Sequence, residues 1–126
     1  MGGCGTFAAG NQVDYVYETA YKIEDAKVLV GKPGSGKHAL PEESHSASAI
    51  YIKMEGETFK EMRIYENHKI VLEIAYHHET DLRPDWKPVL HYHKYPDGSF
   101  KTRTKADFMP SDMVEKYKKY IKGIDL

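Results

Sequence analysis

The stretch from residue 48 to residue 78 constrains the fold most. It reads SAIYIKM, ETFKEMRIYE and HKIVLEIAYHH, three runs rich in β-branched and aromatic residues, joined by the short polar turns EGE and ENH. Such residues suit a pleated, half-buried surface. Turns this short can join only antiparallel neighbours. In the third run Ile70, Leu72, Ile74 and Tyr76 share one face, opposite Lys69, Val71, Glu73 and Ala75. That is the pattern of a strand covering a core on one side.

The flanking segments extend the sheet. NQVDYVYE alternates, with Val13, Tyr15 and Tyr17 on one side, and KVLV is a short apolar strand. ETDLRPDWKP is punctuated by Pro84 and Pro88, which cannot sit in a central strand, so it reads as a loop. VLHYHKY and SFKTRTK read as a hairpin about Pro96-Asp97-Gly98. PSDMVEKYKKYIKG reads as a helix capped by Ser111 or Asp112, with Met113, Tyr117, Tyr120 and Ile121 on one stripe and Gly123 as its stop. A chain of 126 residues has room for one core. The expectation is therefore α+β: a flexible N-terminus over residues 1–10, then a single domain over 11–126. That domain is a twisted, mostly antiparallel β-sheet of about five to seven strands with a C-terminal helix packed on it.

Composition narrows the function classes. With 40% apolar and 29% charged residues the chain reads as globular. It lacks the roughly 18–20 consecutive apolar residues of a membrane helix, and MGGCGTFAAG has no leader-like apolar segment. A cytoplasmic location and no membrane partner are expected. A single cysteine, Cys4, excludes an intramolecular disulfide and a cysteine-rich zinc site. MGGCGT also fits an N-myristoylation pattern, although a glycine-rich start is more often simply a flexible end. The net charge of -1 hides an asymmetry: from Lys94 to Lys122 there are eight Lys/Arg against four Asp/Glu. Such a basic end can meet phosphate, or be a solvated hairpin and helix face.

VLVGKPGSGKHAL, residues 28–40, resembles a phosphate-binding P-loop through Gly31, Gly36 and Lys37, but His38 stands where a hydroxyl should bind magnesium. A P-loop also needs a helix directly after its lysine. Pro41 follows within four residues, and HALPEESHSASA reads as loop. The glycines are better read as carrying Lys37 and His38 on a loop.

Three polar clusters can carry chemistry: Lys37-His38 through Ser44-His45-Ser46, Tyr76-His77-His78-Glu79, and His91-Tyr92-His93. Period two puts His91 and His93 on one strand face and Tyr92 on the other. A His-x-His pair of this kind can hold zinc or another transition metal, with Glu79, His77 or His78 supplying the rest. No cysteine or extended motif fixes such a site, and the expectation names no metal and no cofactor. A metal-free ribonuclease would use His38 and His91 as acid and base and Lys37 to stabilise charge. A binding protein would use Lys37, Arg63 and Arg103 for phosphate and Tyr92 or Trp86 for stacking. His38, His91 and His93 would then bond ribose or base, with Ser44 and His45 also counted among the ligand-binding residues. Trp86, between two prolines, can equally be a lid over one end of the core.

At GKHALPEESHSASAIYIK, MRIYENHKIVLEIAYHHE and VLHYHKY the chain resembles a group of small phage and prophage proteins. It is also similar to C-terminal domains of phage head-associated and polymorphic toxin-like proteins. The toxin-like resemblance implies a barnase, EndoU, colicin or RelE-like ribonuclease, with Lys37 and His38 as catalytic candidates and RNA as partner. This chain departs from that fold's usual order, because its clearest helix comes last. The resemblance to short phage proteins implies an anti-defence role: sequestering a small nucleotide-derived immune signal, such as a cyclic nucleotide or ADP-ribose derivative, without turnover, and possible as a homo-oligomer. That reading is preferred, with the ribonuclease as alternative and a phage structural or protein-interaction module as a third class.

Overall fold

The computed structural model of the protein describes residues 16–32 and 39–126. Within them seven strands form one sheet in sequence order: β1 (Tyr17–Ile23), β2 (Ala26–Gly31), β3 (Ser48–Glu55), β4 (Thr58–Glu66), β5 (Lys69–His78), β6 (Pro88–Lys94) and β7 (Asp107–Phe108). Neighbours are antiparallel except β2 and β3, which run parallel with Lys27 beside Tyr51 and Val28 beside Ile52. A parallel step needs a long connection, here the segment between Gly31 and Ser48. One short helix, α1 (Ser111–Tyr117), runs on into a 3-10 turn at Lys118–Tyr120. This is an α+β fold with a mostly antiparallel sheet and one short C-terminal helix. The expectations for residues 1–10 and for Val13 and Tyr15 lie outside the described residues.

The turns explain the tight β3–β4–β5 block. Gly56 takes φ +62° in the first, and Asn67 and His68 take φ 53° and 69° in the second. Two successive left-handed residues match the twist of a two-residue hairpin. His68 is held there because its amide donates to the Ala47 carbonyl at 2.9 Å and its ring contacts the Ser44 carbonyl at 2.8 Å.

Alternation splits the side chains between two faces. On the first, Val28, Ile52, Phe59, Met62 and Ile74 are buried together with Tyr120 and Ile121 from the C-terminal segment. Each such burial contributes about 1.5–3 kcal/mol. The C-terminal segment is further held by the Phe59 amide, which donates to the Lys122 carbonyl at 2.8 Å, and by the Tyr120 hydroxyl on the Asp25 carboxylate. The N-cap of α1 is Pro110, which makes no side-chain cap bond, so neither Ser111 nor Asp112 caps the helix.

The second face is buried as well, which corrects the one-sided expectation for β5: Glu73 is 2% exposed and Ala75 0%. Leu40, Tyr51, Tyr65, Ile70 and Tyr95 form its apolar part. Ile70 belongs here, not with Leu72 and Ile74, because a bulge opposes Ile64 to Leu72 and Tyr65 to Ile70, leaving Val71 as the extra residue. One inserted residue reverses the parity of everything before it. SFKTRTK is also not a strand. Phe100–Thr102 is a 3-10 turn in which the Lys101 amide donates to the Ser99 hydroxyl and the Thr102 hydroxyl donates to the Ser99 carbonyl. These local bonds compete with sheet pairing. The partner of β6 is instead the two-residue β7.

Candidate functional site

The second face carries the polar chemistry, and strand register assembles it. Directly opposed antiparallel residues point to the same side. One row runs Tyr51, Arg63, Glu73, His93 across β3 to β6, and the next runs Lys53, Glu61, Ala75, His91, Phe108 across β3 to β7. Glu61, Arg63, Glu73, His91 and His93 are all buried. Ala75, the small member of its row, stands between Glu61 and His91.

The middle of this face is a closed charge network. Arg63 Nη2 lies 3.1 Å from Glu61, its Nε lies 3.9 Å from Glu73, and its Nη1 donates to the Leu40 carbonyl at 2.6 Å. Phe100 covers it, with the guanidinium carbon 4.9 Å from the ring centre. The Tyr95 hydroxyl donates to Glu73, and Arg103 reaches the other carboxylate oxygen at 3.5 Å. The two acids diverge. Burial raises the Glu61 carboxyl, the Arg63 charge offsets this in part, and the Glu73 charge adds to the rise. Burial would raise Glu73 too, but the Tyr95 hydroxyl, Arg63 and Arg103 outweigh it and bring its carboxyl below the usual range. Burial, and then the bond to Glu73, raises the Tyr95 phenol.

Beside the network the polar groups are left open. His91 and His93 have ring centres 5.3 Å apart at 86°, and His77 meets His91 edge-on at 5.1 Å. His91 Nδ1 lies 2.8 Å from the Val89 carbonyl, and His93 Nδ1 lies 2.8 Å from the Thr104 carbonyl. A carbonyl only accepts, so each Nδ1 is the donor, and in a neutral ring the Nε2 then presents a lone pair. Both Nε2 atoms are buried with no hydrogen-bond partner among the described residues. An unpaired buried acceptor costs about 1–3 kcal/mol. Burial, more than the neighbouring His77 and His93, also lowers the His91 pKa. Glu79, the first residue after β5, places a carboxylate oxygen within 4.8 Å of ligating nitrogens of both rings.

The expected site residues do not converge as one pocket. Lys37 and His38 lie outside the described residues. Ser44 is fully buried with its hydroxyl bonded to the Ser46 carbonyl, and the His45 amide donates to the Tyr51 hydroxyl. Both sit near the β4–β5 turn, where Glu43 bridges to Lys69. Glu79 follows the opposite end of the ten-residue β5, about 30 Å away along the strand. Arg63 is consumed by its two acids, and Arg103 remains half exposed. Tyr92 packs against the first face, as period two requires. Trp86 is no lid over the core: it is 67% exposed, at φ 63°, with its ring 5.0 Å from His78. The structure thus brings together His91, His93 and Glu79, with His77 beside them. The sequence reading missed Glu61, Glu73 and Tyr95. For the acids the signal was Glu61 two residues from Arg63 on β4 and Glu73 alone within the apolar run of β5; Tyr95, just after β6, carried none.

Comparison with protein-family models, with curated proteins and with solved structures finds no match to this chain. Among the described residues no helix is long and apolar enough to cross a membrane.

Proposed function

We propose that the protein binds a small nucleotide-derived ligand and sequesters it without turnover, at the wall made by His91, His93 and Glu79. The observation that carries this reading is the pair of buried imidazoles whose Nε2 atoms have no partner among the described residues. A buried acceptor with no partner calls for an account, and a bound ligand, ion or water is one that removes its cost. The half-exposed guanidinium of Arg103, on the far side of Glu73, supplies a cation for phosphate. The resemblance to phage-type anti-defence proteins suggests an immune signal in the host cytosol as the ligand.

The test is to incubate the purified protein with an extracted nucleotide pool and RNA, wash it, denature it and analyse both fractions by mass spectrometry. An intact nucleotide released only on denaturation, and lost with Arg103→Gln or His93→Asn, is the expected result. Shortened RNA with cyclic-phosphate ends and nothing retained would overturn it in favour of the metal-independent ribonuclease.

A further inference from the structure

We propose that His91, His93 and Glu79 hold a single divalent transition-metal ion, to which the ligand's oxygen atoms bind. The inference builds on the reading of this wall as a binding site. It differs from the metal-free expectation because the geometry adds what the sequence could not: the direction of the lone pairs.

Three features point to an ion. The first is the donor set. One ring nitrogen of each histidine and a Glu79 carboxylate oxygen lie within 4.8 Å of one another, and the nitrogens left without a partner among the described residues are the two Nε2 atoms; with the carboxylate they make a set of three acceptors when the rings are neutral. A hydroxyl-bearing ligand can satisfy acceptors one at a time, whereas a cation satisfies all three at once and also neutralises the carboxylate. Had the cluster been a simple ion pair between Glu79 and a protonated imidazole, one Nε2 would donate to that carboxylate. Neither does so.

The second is the preparation of the rings. Metal-bound imidazoles are characteristically fixed through their other nitrogen, which sets tautomer and orientation. Here both outer bonds exist, to Val89 and to Thr104, each at 2.8 Å. They come from different elements: one from β6 itself, the other from the segment that returns across it after the 3-10 turn. Two independent carbonyls therefore select the same tautomer in both rings.

The third is adaptability. Ligands on one zinc-type ion at about 2.0–2.1 Å lie roughly 3.4 Å apart in a tetrahedron, so the cluster must close slightly. His91 and His93 are fixed on β6, which pairs along its length with β5. Glu79 is not: its carboxylate is engaged with the Asp81 amide at 3.4 Å, a long contact, and it begins a loop. A change of glutamate rotamer supplies the closure. Two nitrogens and one oxygen, with no thiolate, suit zinc, cobalt(II), nickel(II) or iron(II) and disfavour magnesium or calcium. Three protein ligands leave at least one coordination position for water or an exogenous oxygen.

The probe is cobalt(II), whose visible absorption reports coordination number and ligand type, titrated into the nucleotide-free full chain and then displaced with zinc. We expect one cobalt per chain, with absorption of four- or five-coordinate character that zinc abolishes. Outer-shell losses around such sites cost about 10–100-fold in affinity, so loss of a direct ligand in Glu79→Gln should exceed that range. Glu79 lies outside the core, so this variant keeps the fold, whereas His91→Ala empties a fully buried position; His93→Asn is the second variant, with folding checked by circular dichroism. No stoichiometric cobalt binding by the native chain overturns the inference, as does binding that survives both Glu79→Gln and His93→Asn. Cobalt binding by the nucleotide-free chain, together with no nucleotide retained when the cobalt-loaded chain is incubated with the pool, upholds the metal site and sinks the sequestration reading. A retained nucleotide in chelator-treated protein that binds no cobalt does the reverse.

Discussion

Arg63 and Glu73 face each other across β4 and β5, and the guanidinium Nε lies 3.9 Å from a carboxylate that is itself sealed from solvent. The same guanidinium binds Glu61 at 3.1 Å and the Leu40 carbonyl at 2.6 Å. One side chain thus neutralises two buried acids and ties the segment after Ala39 to the sheet. A buried pair adds little over a well-packed apolar substitute, but breaking it by removing one partner is costly.

Arg63→Ala should therefore lower unfolding stability by about 3–5 kcal/mol in urea titration. Arg63→Lys should recover little of this, because an ammonium cannot span Glu61, Glu73 and a carbonyl with a planar fork. If the lysine variant matched the wild type, the multidentate account of this residue would be wrong.

Glu61 and Glu73 should respond to pH in opposite senses. Glu73 has its carboxyl lowered below 4.5 on folding, so its contribution is present above the unfolded value and lost as pH falls through the folded one. Glu61 is raised above 4.5, so its contribution is complete at low pH and lost as pH rises through its folded value. Glu73→Gln should cost about 1–3 kcal/mol at neutral pH and flatten the loss of stability on acidification. Glu61→Gln should be neutral or stabilising at neutral pH, since an amide oxygen still accepts from Arg63. Urea midpoints for both variants from about pH 3 to pH 8 decide this; two curves of the same shape would refute the opposed assignment.

How much of this was legible beforehand follows from the range of the forces involved. The β3–β4–β5 block was readable because alternation and turn residues are local, and so was the shared face of His91 and His93. The parity of Ile70 was not, since a bulge at Val71 depends on how β4 and β5 slide past each other. Burial of the second face was hidden too, because it is imposed by segments distant in sequence, such as Leu40 and Phe100 closing over Arg63. Glu79 was in view as a candidate. Only the β5–β6 register, which sets His78 opposite Pro88, brings it to the two imidazoles.

The C-terminal segment offers a contrast between two glycines that meet the same turn. Gly56 takes φ +62° within the β3–β4 turn, and a Cβ there would meet no atom within 4 Å. Gly123 takes φ +79°, and a Cβ there would lie 2.7 Å from the Glu57 carbonyl and 3.0 Å from the Thr58 Cα. Gly56→Ala should lose only the left-handed backbone penalty, about 1–2 kcal/mol. Gly123→Ala should lose that and about 1–3 kcal/mol more for overpacking, because the obstacle is backbone and cannot rotate away. The added cost should appear as detachment of the C-terminal segment from the first face. The Phe59 amide, which donates to the Lys122 carbonyl at 2.8 Å, reports it directly by hydrogen exchange. Its protection should drop in Gly123→Ala by more than in Gly56→Ala. Equal losses in the two variants would mean that the chain after Tyr120 is held by Tyr120 and Ile121 alone, and that the close approach at Gly123 contributes nothing.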